Sequence, residues 1–115
     1  MTDREKRPWE TQYQVAETKI VAETPDLRVL EITLDIGEAV PWHLHRHVDD
    51  HFYCLAGSIA VVTRKPDTET RLAPGESCLV PIGRAHRAAN AAEGPSRFVL
   101  VQGPGEYDFV PVPGG

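Results

Sequence analysis

The chain has 115 residues and a mass of 12.7 kDa, which fits one domain and leaves no room for a second of ordinary size. Its 41% hydrophobic and 25% charged residues are the proportions of a soluble globular protein. Twelve Lys and Arg against 17 Asp and Glu give a net charge of −5, which argues against a general nucleic-acid or anionic-membrane binder. The uneven count is histidine: there are five, and His43, His45, His47 and His51 fall within one short stretch.

The first ten residues, MTDREKRPWE, are charged and carry no apolar run, so no secretory signal is expected. Arg4–Tyr13 has room for one short exposed helical turn, and elsewhere no window holds a 3.6-residue period. Ten prolines and nine glycines, spread along the chain, instead predict many short strands joined by turns. The strands expected in order are Val15–Glu23, Leu27–Ile36, Val40–His45, His51–Leu55, Ser58–Lys65, Ser77–Val80, His86–Ala89 and Arg97–Gln102. The second alternates well, with Leu30, Ile32, Leu34 and Ile36 on one face and Glu31, Thr33 and Asp35 on the other. Turns are expected at Thr24-Pro25-Asp26, Ala56-Gly57, Lys65-Pro66-Asp67 and Ala73-Pro74-Gly75. The last residues, VPVPGG, read as a fraying tail. The pattern predicts an all-β fold, a single β-barrel or jelly roll.

Two cysteines, Cys54 and Cys78, form no CxxC motif and no disulfide framework, so a reducing, cytoplasmic setting is the expectation. The longest mostly apolar stretch, Cys54–Val62, is interrupted by Gly57 and Ser58 and is too short to span a membrane.

Two constellations carry chemistry. The first runs from Gly37 through His43, His45 and Asp50 to Gly57. Residues i and i+2 of a strand share a face, so His43 and His45 can present imidazoles side by side to one ion. Asp50, across a short turn, can return a carboxylate to that ion from the next strand. Imidazole with carboxylate suits divalent Fe, Mn, Ni, Cu or Zn. The second constellation runs from Gly75 through Pro81, Gly83 and His86 to Asn90, where a Pro-x-Gly turn aims His86 at the barrel interior.

The first constellation resembles the cupin motif G-x5-H-x-H-x(3,4)-E-x6-G, with Asp50 at the glutamate position. The second is similar to the partner motif G-x5-P-x-G-x2-H-x3-N at every fixed position. With one motif pair, the chain resembles a small, single-domain cupin. The resemblance implies a jelly-roll barrel over residues 25–103, an N-terminal segment and first strand over 1–24 and a C-terminal tail over 104–115. It also implies a divalent transition metal held by His43, His45, Asp50 and His86. Aspartate is one methylene shorter than glutamate, so Asp50 either ligates the ion or accepts a hydrogen bond from a ligating imidazole or a bound water.

The other polar residues have weaker claims. His47 reads as a solvated loop residue, with acid–base or alternative-ligand work as the sharper reading. His51 follows Asp50 on a strand, points to the other face and reads as structural. Arg84 can meet a substrate carboxylate with its fork, against the reading of a solvated loop arginine. Cys54 shares the parity of Asp50 and Phe52, which leaves it lining the cavity or lying inert in the core. Trp42 and Phe52 read equally as pocket wall and as core packing. Tyr107, in the segment GPGEYDF, is placed to fold over the barrel mouth.

Three imidazoles and a carboxylate occupy four positions of a six-coordinate ion and leave two for substrate or O2. The resemblance therefore implies a metal-dependent enzyme acting on a small oxygen-rich or carboxylated molecule, with dioxygenase chemistry ahead of lyase or isomerase chemistry. The alternatives are a small-molecule-binding module without catalysis and a barrel whose site is vestigial. Cupins often pair through an N-terminal strand, so a homodimer is expected, with no nucleic-acid or membrane partner.

Overall fold

The structure, a computed structural model, describes residues 15–114. The predicted turn at Arg4–Tyr13 lies outside them. The strands, in chain order, are β1 (Glu17–Thr24), β2 (Leu27–Leu34), β3 (Ala39–Leu44), β4 (Asp50–Ala56), β5 (Ile59–Thr63), β6 (Thr68–Leu72), β7 (Ser77–Val80), β8 (His86–Asn90), β9 (Ser96–Gln102) and β10 (Val110–Pro111). They form two five-stranded antiparallel sheets, ordered β1-β2-β9-β4-β7 and β10-β3-β8-β5-β6. The two sheets enclose one core, and the fold is the expected all-β jelly roll. No helix of the described residues is long and apolar enough to cross a membrane.

Alternation decides which side chains enter the barrel. In β2 it sends Arg28, Leu30, Ile32 and Leu34 inward; in β4 it sends Asp50, Phe52 and Cys54, and in β9 Ser96, Phe98, Leu100 and Gln102. The register then sorts these residues by polarity. Arg28, Gln102 and Asp50 pair across three strands of one sheet, and His43, His86 and Thr63 pair across three strands of the other. The next row is apolar, with Leu30, Leu100 and Phe52 facing Val40, Ala88 and Val61. Polar interior groups are thus confined to one end of the barrel, and Phe52 and Phe98, 5.6 Å apart, fill the core behind them.

At the opposite end Asn90 ties the loops together. Its Nδ2 donates to the carbonyls of Leu34 at 3.2 Å and Gly94 at 2.9 Å, while its Oδ1 accepts from Ala92 N and the Ser96 hydroxyl. Gly57 makes this clasp possible. Its φ is +77°, and a Cβ there would stand 2.9 Å from both Cα and Cβ of Ser96.

Three features differ from the sequence reading. Ile36, expected on the inward face with Leu34, lies past the end of β2 and is exposed, because the chain turns at Asp35–Glu38. The hairpin after Thr63 contains a strand, β6, that no pattern announced: TETRL is an edge strand exposed at all but Leu72, so it lacks an apolar face. The C-terminal segment is not a fraying end. Val110 and Pro111 pair with Leu44 and His43 of β3, and Val112 N donates to Trp42 O at 3.1 Å. The first strand lies antiparallel on β2 of its own chain.

Candidate metal centre

His43 enters the polar end from β3, His45 from just beyond it, Asp50 from the start of β4 and His86 from the start of β8. One ligand atom from each can be chosen so that all four lie within 4.8 Å of one another. Asp50 and His86 are each 1% exposed, and His43 and His45 are equally well buried.

Hydrogen bonds on the far side of each ring fix its proton. His43 Nδ1 lies 2.7 Å from the carbonyl of Pro41, and His86 Nδ1 lies 2.8 Å from the carbonyl of Arg84. His45 Nδ1 meets the carbonyl of Asp108, from the C-terminal segment. A carbonyl only accepts, so each Nδ1 carries the proton and each Nε2 offers a lone pair to the interior. His43 and His86 use the same device, bonding a carbonyl two residues back.

The Asp50 carboxylate closes the set. Its Oδ2 lies 3.1 Å from His45 Nε2 and 2.8 Å from His86 Nε2, while its Oδ1 accepts from Gln102 Nε2 at 3.1 Å. Two imidazole lone pairs and a carboxylate oxygen are all acceptors, so their convergence needs a cation or a shared proton between them. The donor set therefore fits a divalent transition ion of the imidazole- and carboxylate-binding class. Gln102 Oε1, buried beside the cluster, has no hydrogen-bond partner among the described residues.

Within the cluster, electrostatics separates His43, His45 and Asp50. Burial, then the neighbouring His86 and His45, pushes His43 down to about 3, so its ring is neutral across the physiological range. Burial also opposes charge on His45, but the hydrogen bond and charge of Asp50 outweigh it and raise this ring above its usual value. For Asp50 burial favours the neutral acid, and the hydrogen bonds it makes with His45 and His86 when a proton is shared between them overcome it and hold the carboxyl well below the usual range.

The C-terminal segment covers the cluster. Phe109 stacks on His43 with ring centroids 4.5 Å apart and planes 11° apart. The Tyr107 ring centroid is 5.3 Å from that of His45, and the Arg28 guanidinium lies 4.0 Å from the Tyr107 centroid on the ring's face. Arg28 also pairs with Glu23 at 3.3 Å. Asp108 accepts from the backbone N of Arg46 at 2.8 Å and from its guanidinium, which latches the segment to the β3–β4 loop.

The remaining sequence candidates lie apart from this cluster. His47 is exposed on the β3–β4 loop, and His51 is half-buried on the outer face of β4, opposite Leu79 and Val101. Arg84 turns away from the interior and donates from Nη2 to Pro66 O at 2.9 Å. Cys54 lies in the apolar core behind Phe52, where burial pushes its thiol pKa up. Trp42 faces outward under the Arg64 guanidinium at 3.8 Å, whereas Phe52 is core, 6.1 Å from the His86 ring. Sequence reasoning missed Gln102, Asp108 and Phe109. Gln102 was within reach of it, since it shares the inward parity of Phe98 and Leu100. Nothing local distinguishes Asp108 or Phe109.

Residues 30–102 match the family described as Cupin domain. The chain belongs to the cupin family. This cupin is 28% identical over 96 residues to the mannose-1-phosphate guanylyltransferase of Klebsiella pneumoniae, and it spans 19% of that protein's length. Among solved structures, a Klebsiella pneumoniae protein with a double-stranded β-helix domain superposes with a TM-score of 0.74 at 25% identity, covering 90% of each chain. KdgF from Halomonas sp. superposes with a TM-score of 0.69 at 28% identity, covering 85% of this chain and 92% of its own.

Proposed function

We propose that this cupin is a metal-dependent enzyme for a small oxygen-rich or carboxylated molecule, with dioxygenase-type oxidation as its first reading. The observation that supports it is the shared orientation of the three histidines: each ring donates its Nδ1–H to a backbone carbonyl and turns Nε2 towards Asp50. His43, His45 and His86 would hold a divalent ion, with Asp50 completing the set. Bound there, iron or manganese would support oxidation by O2, and zinc or nickel would supply Lewis acidity.

The chain's own groups supply orientation and exclusion of water. Gln102 steadies Asp50, and its free Oε1 is placed to accept a hydrogen bond from a hydroxyl in the site. Phe109 and Tyr107 keep bulk solvent from the His43 and His45 rings. The test is elemental analysis of the purified protein together with O2 uptake on a panel of small hydroxy and keto acids, for wild type and His45→Ala. Stoichiometric metal and turnover, both lost in the variant, are expected. Turnover without O2 uptake would assign lyase or isomerase chemistry, and turnover in metal-free protein would overturn the reading. Metal without turnover of any panel member would favour a binding module.

The outer face of the first sheet supports a homodimer. Tyr53 and Leu55 of β4 and Leu79 of β7 are exposed there, an apolar face of the kind that a second copy covers. A light-scattering mass of twice 12.7 kDa is expected, and a monomer mass at micromolar concentration would overturn it.

A further inference from the structure

On the outer surface, behind the metal cluster, the turn after β5 and the Pro81–Ala85 turn enclose a groove of about 570 Å³. Arg64, Lys65 and Arg84 line it, over a floor that includes Leu44, Ile82 and Val112, and no acidic residue contributes to its walls. Three basic residues line this one concavity of a chain whose net charge is −5.

The groove is built rather than incidental. Arg64 N donates to Ala85 O at 3.1 Å and joins the two turns. Arg64 spends Nη1 on Pro113 O at 2.9 Å and rests on Trp42, so its position is fixed from two sides. Arg84 spends Nη2 on Pro66 O, and its buried Nε has no hydrogen-bond partner among the described residues. Lys65 has φ of 58°, the one positive value among the described non-glycine residues.

We infer that this groove is a site for a phosphate group, bound through Arg64, Lys65 and Arg84. Guanidinium forks and an ammonium match the several acceptor oxygens and double charge of phosphate. The groove exceeds the volume of the ion itself, and its apolar floor leaves room for the organic part of a phosphomonoester. The inference is independent of the metal reading.

The experiment is calorimetric titration of the full chain, stripped of metal so that no ion can bind the anion, at low ionic strength with inorganic phosphate or glycerol 2-phosphate. Saturable one-site binding tighter than about 10 mM is expected, weakened about tenfold in Arg84→Gln and in Lys65→Gly. Lys65→Gly relieves the backbone strain, so it remains a folded control if Arg84→Gln is unstable. Tighter binding of the ester than of phosphate would support an organic ligand, and equal binding would support free phosphate. Absence of saturation with both probes, or equal affinity in wild type and Lys65→Gly, would overturn the inference.

Discussion

The Phe109 ring lies flat against the His43 imidazole, with centroids 4.5 Å apart and planes inclined by 11°. A residue of the segment after β9 therefore closes a cluster whose other members come from β3, β4 and β8 and the loop beside β3. Reaching His43 Nε2 from solvent requires this contact or a neighbouring one to open. A stacked aromatic pair contributes about 0.5–1.5 kcal/mol, equivalent to roughly a 2- to 10-fold change in the open population. Phe109→Ala is expected to release metal to a chelator faster by that factor while its melting curve changes little. A stopped-flow chelation assay checks this, and an unchanged rate would mean that the ion exchanges by another route.

The contrast between Phe109 and Asp50 shows where sequence reading succeeds. The grouping of His43, His45, Asp50 and His86 was legible through the cupin motif pair, whose spacing is local in sequence. The inward row of β2 was equally plain in LRVLEITL. Phe109, Asp108 and β10 were not legible, since their placement depends on pairing with β3, remote in sequence. VPVP lacks alternation and has no donor at its prolines, so its short edge strand leaves no pattern. β6 was hidden for a related reason: an edge strand exposed on both faces carries polar residues on both.

Gln102 donates to Asp50 Oδ1 at 3.1 Å and so orients the carboxylate that faces His45 and His86. Replacing it with Leu keeps the volume but leaves the buried Asp50 Oδ1 without its donor, so the metal-free protein should lose about 1–3 kcal/mol of stability. Metal affinity should fall about 10- to 100-fold, the usual loss when the support of a ligand is removed. Competition against a chromophoric chelator measures it. An unchanged affinity would show that the cluster holds Asp50 without this contact.

Gly57→Ala tests the far end of the barrel. The substitution asks a Cβ to occupy space 2.9 Å from the Ser96 backbone at a φ of +77°. Strain and displacement of Ser96 together should cost about 2–4 kcal/mol. Urea denaturation measures the loss. Metal affinity per folded molecule should be retained, because Ser96 sits at the opposite end of β9 from Gln102.

The metal-free protein should have a stability maximum near pH 6.5. His43 has a folded value of about 3 against 6.5 in the unfolded chain. As pH falls through that window the unfolded state takes up the proton first, so stability declines by about 1.4 kcal/mol per pH unit for this one group. Asp50 extends the acid loss: its folded value lies below 3.8, and its contribution fades as the carboxylate is protonated. His45 has the opposite sign. Its folded value is raised above 6.5, so its pairing with Asp50 is complete below 6.5 and is lost as pH climbs through the folded value. Melting temperatures of chelator-treated protein across pH 4 to 9 should therefore trace a peak. Saturating zinc should remove the alkaline limb, because an ion then takes the place of the proton between His45 and Asp50, and its binding strengthens as that proton is given up. A metal-free curve that stays flat above pH 6.5 would show that His45 holds no extra proton beside Asp50.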